Sequence, residues 1–186
     1  MRLTVSPDPR VWLHIPNHLA PGQATTEWER ETAARFAASP MAPSDREAAV
    51  AIAHAARAAL DPSTGFGVQF WPGAAPVALL VRAEVRPPLA ADQDVVAALL
   101  GDIPLAMAPT VEEITVPGIG AGVVVRFIAA GPDTPGAPVP AGIGILVSGE
   151  LCAVRLLSDP TTTTMVGVVE EPLRTLAESM RVEDDA

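Results

Sequence analysis

Bulky apolar residues along this 186-residue chain change their spacing near residue 65, and the two textures predict different elements. Arg10–Ile15 alternates bulky and polar positions as a short strand does, and Pro16 closes it. Thr26-x-x-Glu29 then has the form of a capping box, in which hydroxyl and carboxylate each satisfy an amide of a first helical turn. Trp28, Thr32, Arg35, Phe36 and Ser39 follow at helical spacing, and Pro40 and Pro43 end the pattern. A second box, Ser44-x-x-Glu47, precedes a narrow face of Ala49, Ile52, Ala53, Ala56 and Leu60, which Asp61-Pro62 stops.

Beyond residue 65 strand signals dominate. Phe66–Trp71 and Val77–Val85 flank the turn-forming Pro72–Pro76. Asp92–Leu100 reads as a short helix with Asp92 as its N-cap. Four more strands are expected at Glu112–Val116, Gly122–Ala129, Ile143–Ser148 and Leu151–Leu157, the last two joined by a tight turn at Gly149-Glu150. Thr161–Val169 is rich in β-branched residues and reads as extended or helical. Met165, Val168, Val169, Pro172, Leu173, Leu176 and Met180 form a helical stripe that favours a helix from about 161, with Asp159-Pro160 as N-cap and first residue and a break near 171 set by Pro172. Strands joined by short turns pair antiparallel, and helices can cover the resulting sheet.

The prediction is a single α+β domain spanning 1–186, with a mainly antiparallel sheet of about six or seven strands. Its first strand lies at 10–16, a helical pair at 26–60, mostly antiparallel strands across 65–157, a terminal helix packed on the sheet at 161–181, and an acidic tail at 182–186.

Composition narrows the chemistry. Twelve arginines account for every Lys+Arg residue, so lysine is absent, and so is tyrosine. With alanine, glycine and proline abundant, that bias matches a GC-rich bacterial coding sequence. It removes Schiff-base lysines, P-loop lysines and tyrosine acids. The net charge is −10, distributed as −1 over residues 1–62 and −9 over 63–186. Such a surface repels nucleic-acid backbones and anionic membranes, while a basic protein partner is compatible with it. Cys152 is alone, within Leu151–Val154, and reads as a small core residue. No apolar run approaches the roughly 18 residues needed to span a bilayer, and the N-terminal residues lack the apolar core of a signal peptide. A soluble, cytoplasmic protein is expected.

Candidate chemistry is sparse. Gly118-Ile119-Gly120-Ala121-Gly122 resembles part of a dinucleotide fingerprint, but Val123 stands where a third glycine is needed, and a strand rather than a helix follows. A hairpin turn is expected there. His14, His18 and His54 do not share one helical face, so no metal site is expected. Ser148 lacks the flanking glycines of a nucleophile elbow. Glu112 and Glu113 should point to opposite faces of a strand, and Glu170-Glu171 should lie in a first helical turn. Arg82, Arg126 and Arg155 interrupt apolar strands. Each is expected on a solvent face, and two or three facing the same way would form a clamp for an acidic ligand. The Pro/Gly-rich stretch Gly131–Pro140 is expected as an exposed loop able to carry recognition.

Trp12-Leu13-His14-Ile15-Pro16, the helices, the antiparallel strands, Asp159-Pro160 and the closing Leu176-Ala177-Glu178-Ser179-Met180-Arg181 together resemble the PsbP-like α/β/α sandwich family of small bacterial proteins. The resemblance lies in element order and two short end segments, and the helical pair at 26–60 departs from it. It implies a non-catalytic binding or accessory role. The functional expectation is therefore a non-enzymatic accessory or protein-interaction domain, without cofactor, whose partner is another protein or a second copy. The alternative is a binding protein or enzyme for an acidic small molecule, using a cleft between sheet and helices.

Overall fold

In a computed structural model of the protein, residues 2–16, 23–60, 65–73, 76–131 and 139–183 are described. In chain order the elements are β1 (Arg2–Thr4), β2 (Trp12–Ile15), α1 (Gln23–Ala37), α2 (Pro43–Ala58), β3 (Phe66–Phe70), β4 (Leu80–Arg86) and α3 (Val95–Leu100). Then come β5 (Thr110–Val116), β6 (Gly120–Ile128), β7 (Ala141–Ser148), β8 (Ala153–Ser158), α4 (Thr163–Glu178) and β9 (Arg181–Glu183). Seven strands form an antiparallel sheet in the order β2-β3-β4-β8-β7-β6-β5, and β1 pairs separately with β9. The α+β class, the antiparallel sheet and the positions of the helices along the chain are as expected.

The chain divides into two compact units: Pro7–Arg82, and Met1–Ser6 together with Ala83–Ala186. The boundary falls inside β4, where neither a linker nor a change of composition marks it.

In the Pro7–Arg82 unit the small face of α2 is buried through Ala49, Ala53 and Ala56. It shares a core with Leu13 and Ile15 of β2, Phe36 of α1, Met41, Trp71 and Leu80. Phe36 meets the Trp71 ring edge-on at 4.8 Å between centroids, and the Arg35 guanidinium lies 4.4 Å above the same indole. Both helices start earlier than the capping boxes suggest. α1 begins at Gln23, so Thr26 lies within its first turn. α2 begins at Pro43 behind Ala42, which makes no side-chain cap bond. The fixed φ of proline and its missing N–H suit a first helical position, and they place the start ahead of Ser44.

The second unit is organised around β7. Its residues Ala141–Val147 are buried, because a helix covers each face of the strands around it. On one face Leu99 and Leu100 of α3 pack with Val125, Phe127, Leu146 and Ala153. Gly142 leaves the space that the Phe127 ring occupies. On the other, α4 buries Val166, Val169, Leu173, Leu176 and Ala177.

Four local expectations are corrected here. The N-cap of α3 is Asp94, which accepts from the N–H groups of Val96 and Ala97, while Asp92 falls in the preceding turn. The connection from β7 to β8 takes Gly149–Cys152, so Leu151 and Cys152 leave the strand, and Gly149 N–H bonds Cys152 O at 2.9 Å. α4 is continuous through Pro172 and is capped by Thr162, whose hydroxyl accepts from Met165 N–H at 3.2 Å. Proline costs about 3 kcal/mol inside a helix, and burial of Val169 and Leu173 on either side offsets that cost. Arg181–Glu183 is the strand β9, in register with Thr4–Arg2, where the last helical residue and the start of an acidic tail at 182–186 were expected; Asp184–Ala186 lie outside the described residues.

Candidate functional site

Strand parity separates two of the three candidate arginines. Arg126 stands opposite Ile143, and Arg155 opposite Leu146. Ile143 and Leu146 are three residues apart on β7, so the two guanidiniums leave opposite faces.

Arg155 is nearly buried on the α3 face, its side chain 13% exposed. Its Nε donates to Leu99 O at 2.6 Å, and its Nη1 meets Glu84 Oε1 at 2.8 Å. Arg86 donates to Glu84 Oε2 at 2.5 Å and to Ala98 O at 3.2 Å. Two cations thus sit on the C-terminal carbonyls of α3, where the helix dipole favours them, with Glu84 between them. Burial pulls the Arg155 guanidinium down from its ordinary pKa, and Glu84 opposes that pull.

On the α4 face Arg126 Nη1 meets Glu170 Oε1 at 2.6 Å, and Arg174 Nη2 meets the same oxygen at 3.0 Å. Arg174 also reaches Glu112 at 2.9 Å and Arg126 reaches it at 3.5 Å. Burial by itself would raise the pKa of Glu170, but the bonds and charges of Arg126 and Arg174 hold it below the ordinary value. Glu170 lies well inside α4, not in its first turn as expected. In the other unit, Arg82 Nη1 donates to Ala59 O, the C-cap of α2, at 2.6 Å. These arginines hold carboxylates and helix ends of their own chain; Arg155 is nearly buried where a solvent-facing position was expected, while Arg126 keeps 35% of its side chain exposed.

The remaining candidates have structural places. Val116 and Gly120 close a hairpin over Pro117–Ile119, and β6 follows it, so the glycine-rich segment is a turn. Cys152 is buried, and desolvation pushes its thiol pKa up. His14 lies on β2, and His54 lies on α2 with its ring 6.0 Å from that of Trp28. His18 is outside the described residues, as is most of Gly131–Pro140. Among the described residues no three His, Cys, Asp or Glu side chains gather in a metal-holding group. Ser148 Oγ accepts from Leu89 N–H at 3.0 Å.

The surface that sequence reading missed lies around β5. This strand ends the sheet, and its first four residues are exposed. The ladder continues beyond its start, since Ala106 N–H bonds Ile128 O at 2.9 Å and Ala130 N–H bonds Pro104 O at 2.7 Å. Met107, 63% exposed, and Val111, 46% exposed, stand along this edge. Glu112 and Glu113 do point to opposite faces: Glu112 to the Arg174 side, Glu113 to the α3 side beside Val123.

α3 has only six residues and covers only part of its face. Next to it is a groove of about 440 Å³, walled by Leu89 and Val95. Its floor is two cross-strand rows, Glu113–Val123–Leu146 and Thr115–Ala121–Ser148. Among the described residues no strand pairs with the outer edge of β5. Such an edge beside an apolar groove holding one carboxylate suits an extended, basic ligand better than an acidic one. No helix among the described residues is long and apolar enough to cross a membrane. Compared with known proteins, the chain matches no family model and no curated protein.

Proposed function

We propose that the protein is a non-enzymatic accessory domain that binds another protein by receiving an extended segment along β5. The observation that carries this reading is the seven-residue edge strand, exposed over its first four residues and lying beside the groove. An edge strand directs alternate N–H and C=O groups away from its sheet, and an incoming strand can satisfy them all. β5 contains no proline, and its side chains alternate between the two faces, as strand addition requires. The resemblance to the PsbP-like family, which implies an accessory role, supports the same reading.

Peptides selected from a displayed library for binding to the intact chain test it. Bound peptides are expected to slow amide exchange at alternate residues of Thr110–Val116 and to give cross-strand nuclear Overhauser contacts there. Selected peptides that protect other elements and leave β5 unchanged would overturn it.

A further inference from the structure

We infer that the segment docked on β5 carries lysine or arginine at the positions facing the groove. This rests on the edge reading above and adds the chemistry of the occupant.

Glu113 is the reason. It points to the groove side of β5, level with Val123 and Leu146, and it is exposed. Among the described residues it makes no hydrogen bond or ion pair, whereas its neighbour Glu112 is held by Arg174 and Arg126. A residue opposite an edge residue on an added strand would stand about 5 Å away, Cβ to Cβ. From there the charged head of a lysine or arginine can reach the carboxylate, while its aliphatic stem lies beside the Glu113 side chain at the rim of the groove. An acidic side chain at that place would face Glu113 over an apolar floor.

The surroundings select in the same direction. The unit that contains β5 holds six arginines against fifteen acidic residues, a net −9, so its field attracts a basic segment. A second copy of the chain is a poor occupant. Centred antiparallel pairing of two β5 strands would set Glu113 of one directly opposite Glu113 of the other, and like charges directly opposite destabilise a sheet.

The test uses three eight-residue peptides that alternate valine with lysine, with glutamine or with glutamate. Each is titrated against the intact chain and against the Glu113→Gln and Glu113→Lys variants. Fluorescence anisotropy gives the affinity, and amide exchange gives the place of binding. For the unaltered chain the lysine peptide is expected to bind about tenfold more tightly than the glutamine peptide, as one charge-assisted hydrogen bond allows. The glutamate peptide should bind most weakly. Glu113→Gln is expected to abolish the preference and Glu113→Lys to invert it, with β5 amides protected throughout. Circular dichroism checks that both variants, altered at an exposed position, remain folded. Equal affinity for all three peptides with β5 protected overturns this inference and leaves the edge reading standing. A lysine preference that survives Glu113→Gln does the same. Binding without protection of β5, or no binding by any of the peptides, overturns both.

Discussion

Glu170 accepts from two arginines, one on β6 and one a helical turn further along α4, and this gives the fold an acid-sensitive point. Its pKa in the folded chain lies below the ordinary glutamate value of 4.5. A depressed carboxylate stabilises the native state above its unfolded pKa, and that contribution is lost as pH falls through the folded pKa. Urea denaturation between pH 6 and pH 3 should therefore show Glu170→Gln less stable than the parent at pH 6. The gap should narrow below about pH 4.5, the region where an unpaired glutamate takes up its proton. A gap independent of pH would mean that the pairing contributes nothing. Asp94 makes a simpler case. Replacing it with alanine removes the acceptor for two amides of α3 and should cost about 1 kcal/mol, while Asp92→Ala should change the urea midpoint little. Sequence alone did not decide between these two aspartates. Both precede an apolar run, and the expected cap, Asp92, lies two residues ahead of the aspartate that caps Val95–Leu100.

Among the elements, those with several turns or alternations were legible. The α2 stripe, the α4 stripe and all seven strands of the main sheet follow from apolar spacing, because burial on one face imposes that spacing. β1 and β9 were not, since three residues each carry no period. The break expected in α4 was a local inference overruled by packing. Pro172→Ala should restore the missing helical bond to Val168 and stabilise the protein by about 1–3 kcal/mol. A lower urea midpoint in that variant would show that the ring itself fills needed space. β7 sets the opposite limit. Its two-sided burial accounts for an apolar run without alternation, and at Gly142 a side chain would collide with the Phe127 ring. Gly142→Val is expected to cost about 1–3 kcal/mol by overpacking, read as a lower thermal midpoint.

For the molecule as a whole, the strand arginines and the edge illustrate two kinds of hidden information. Arg126 and Arg155 could be recognised as strand residues, but their opposite facing depends on register across β6, β7 and β8. The groove depends on α3 being shorter than the sheet is wide, which no single segment encodes. The acidic character, by contrast, was plain from composition, and on β5 it becomes specific. Centred pairing of two β5 strands would set Glu113 against its own copy, and that repulsion would oppose self-association, a protective role. The Glu113→Val variant should accordingly self-associate more strongly than the parent in sedimentation equilibrium at low salt. Equal behaviour of the two would remove Glu113 from that protective role.

The pairing of β1 with β9 also sets an order of events during translation. Arg2–Thr4 are synthesised before the Pro7–Arg82 unit, and Arg181–Glu183 well after it. At about 5–20 residues per second, the opening strand waits on the order of ten seconds or more for its mate. Every residue of Pro7–Arg82 has been made long before then. The unit that holds β1 therefore cannot complete its β1–β9 pair until well after the Pro7–Arg82 unit has been made.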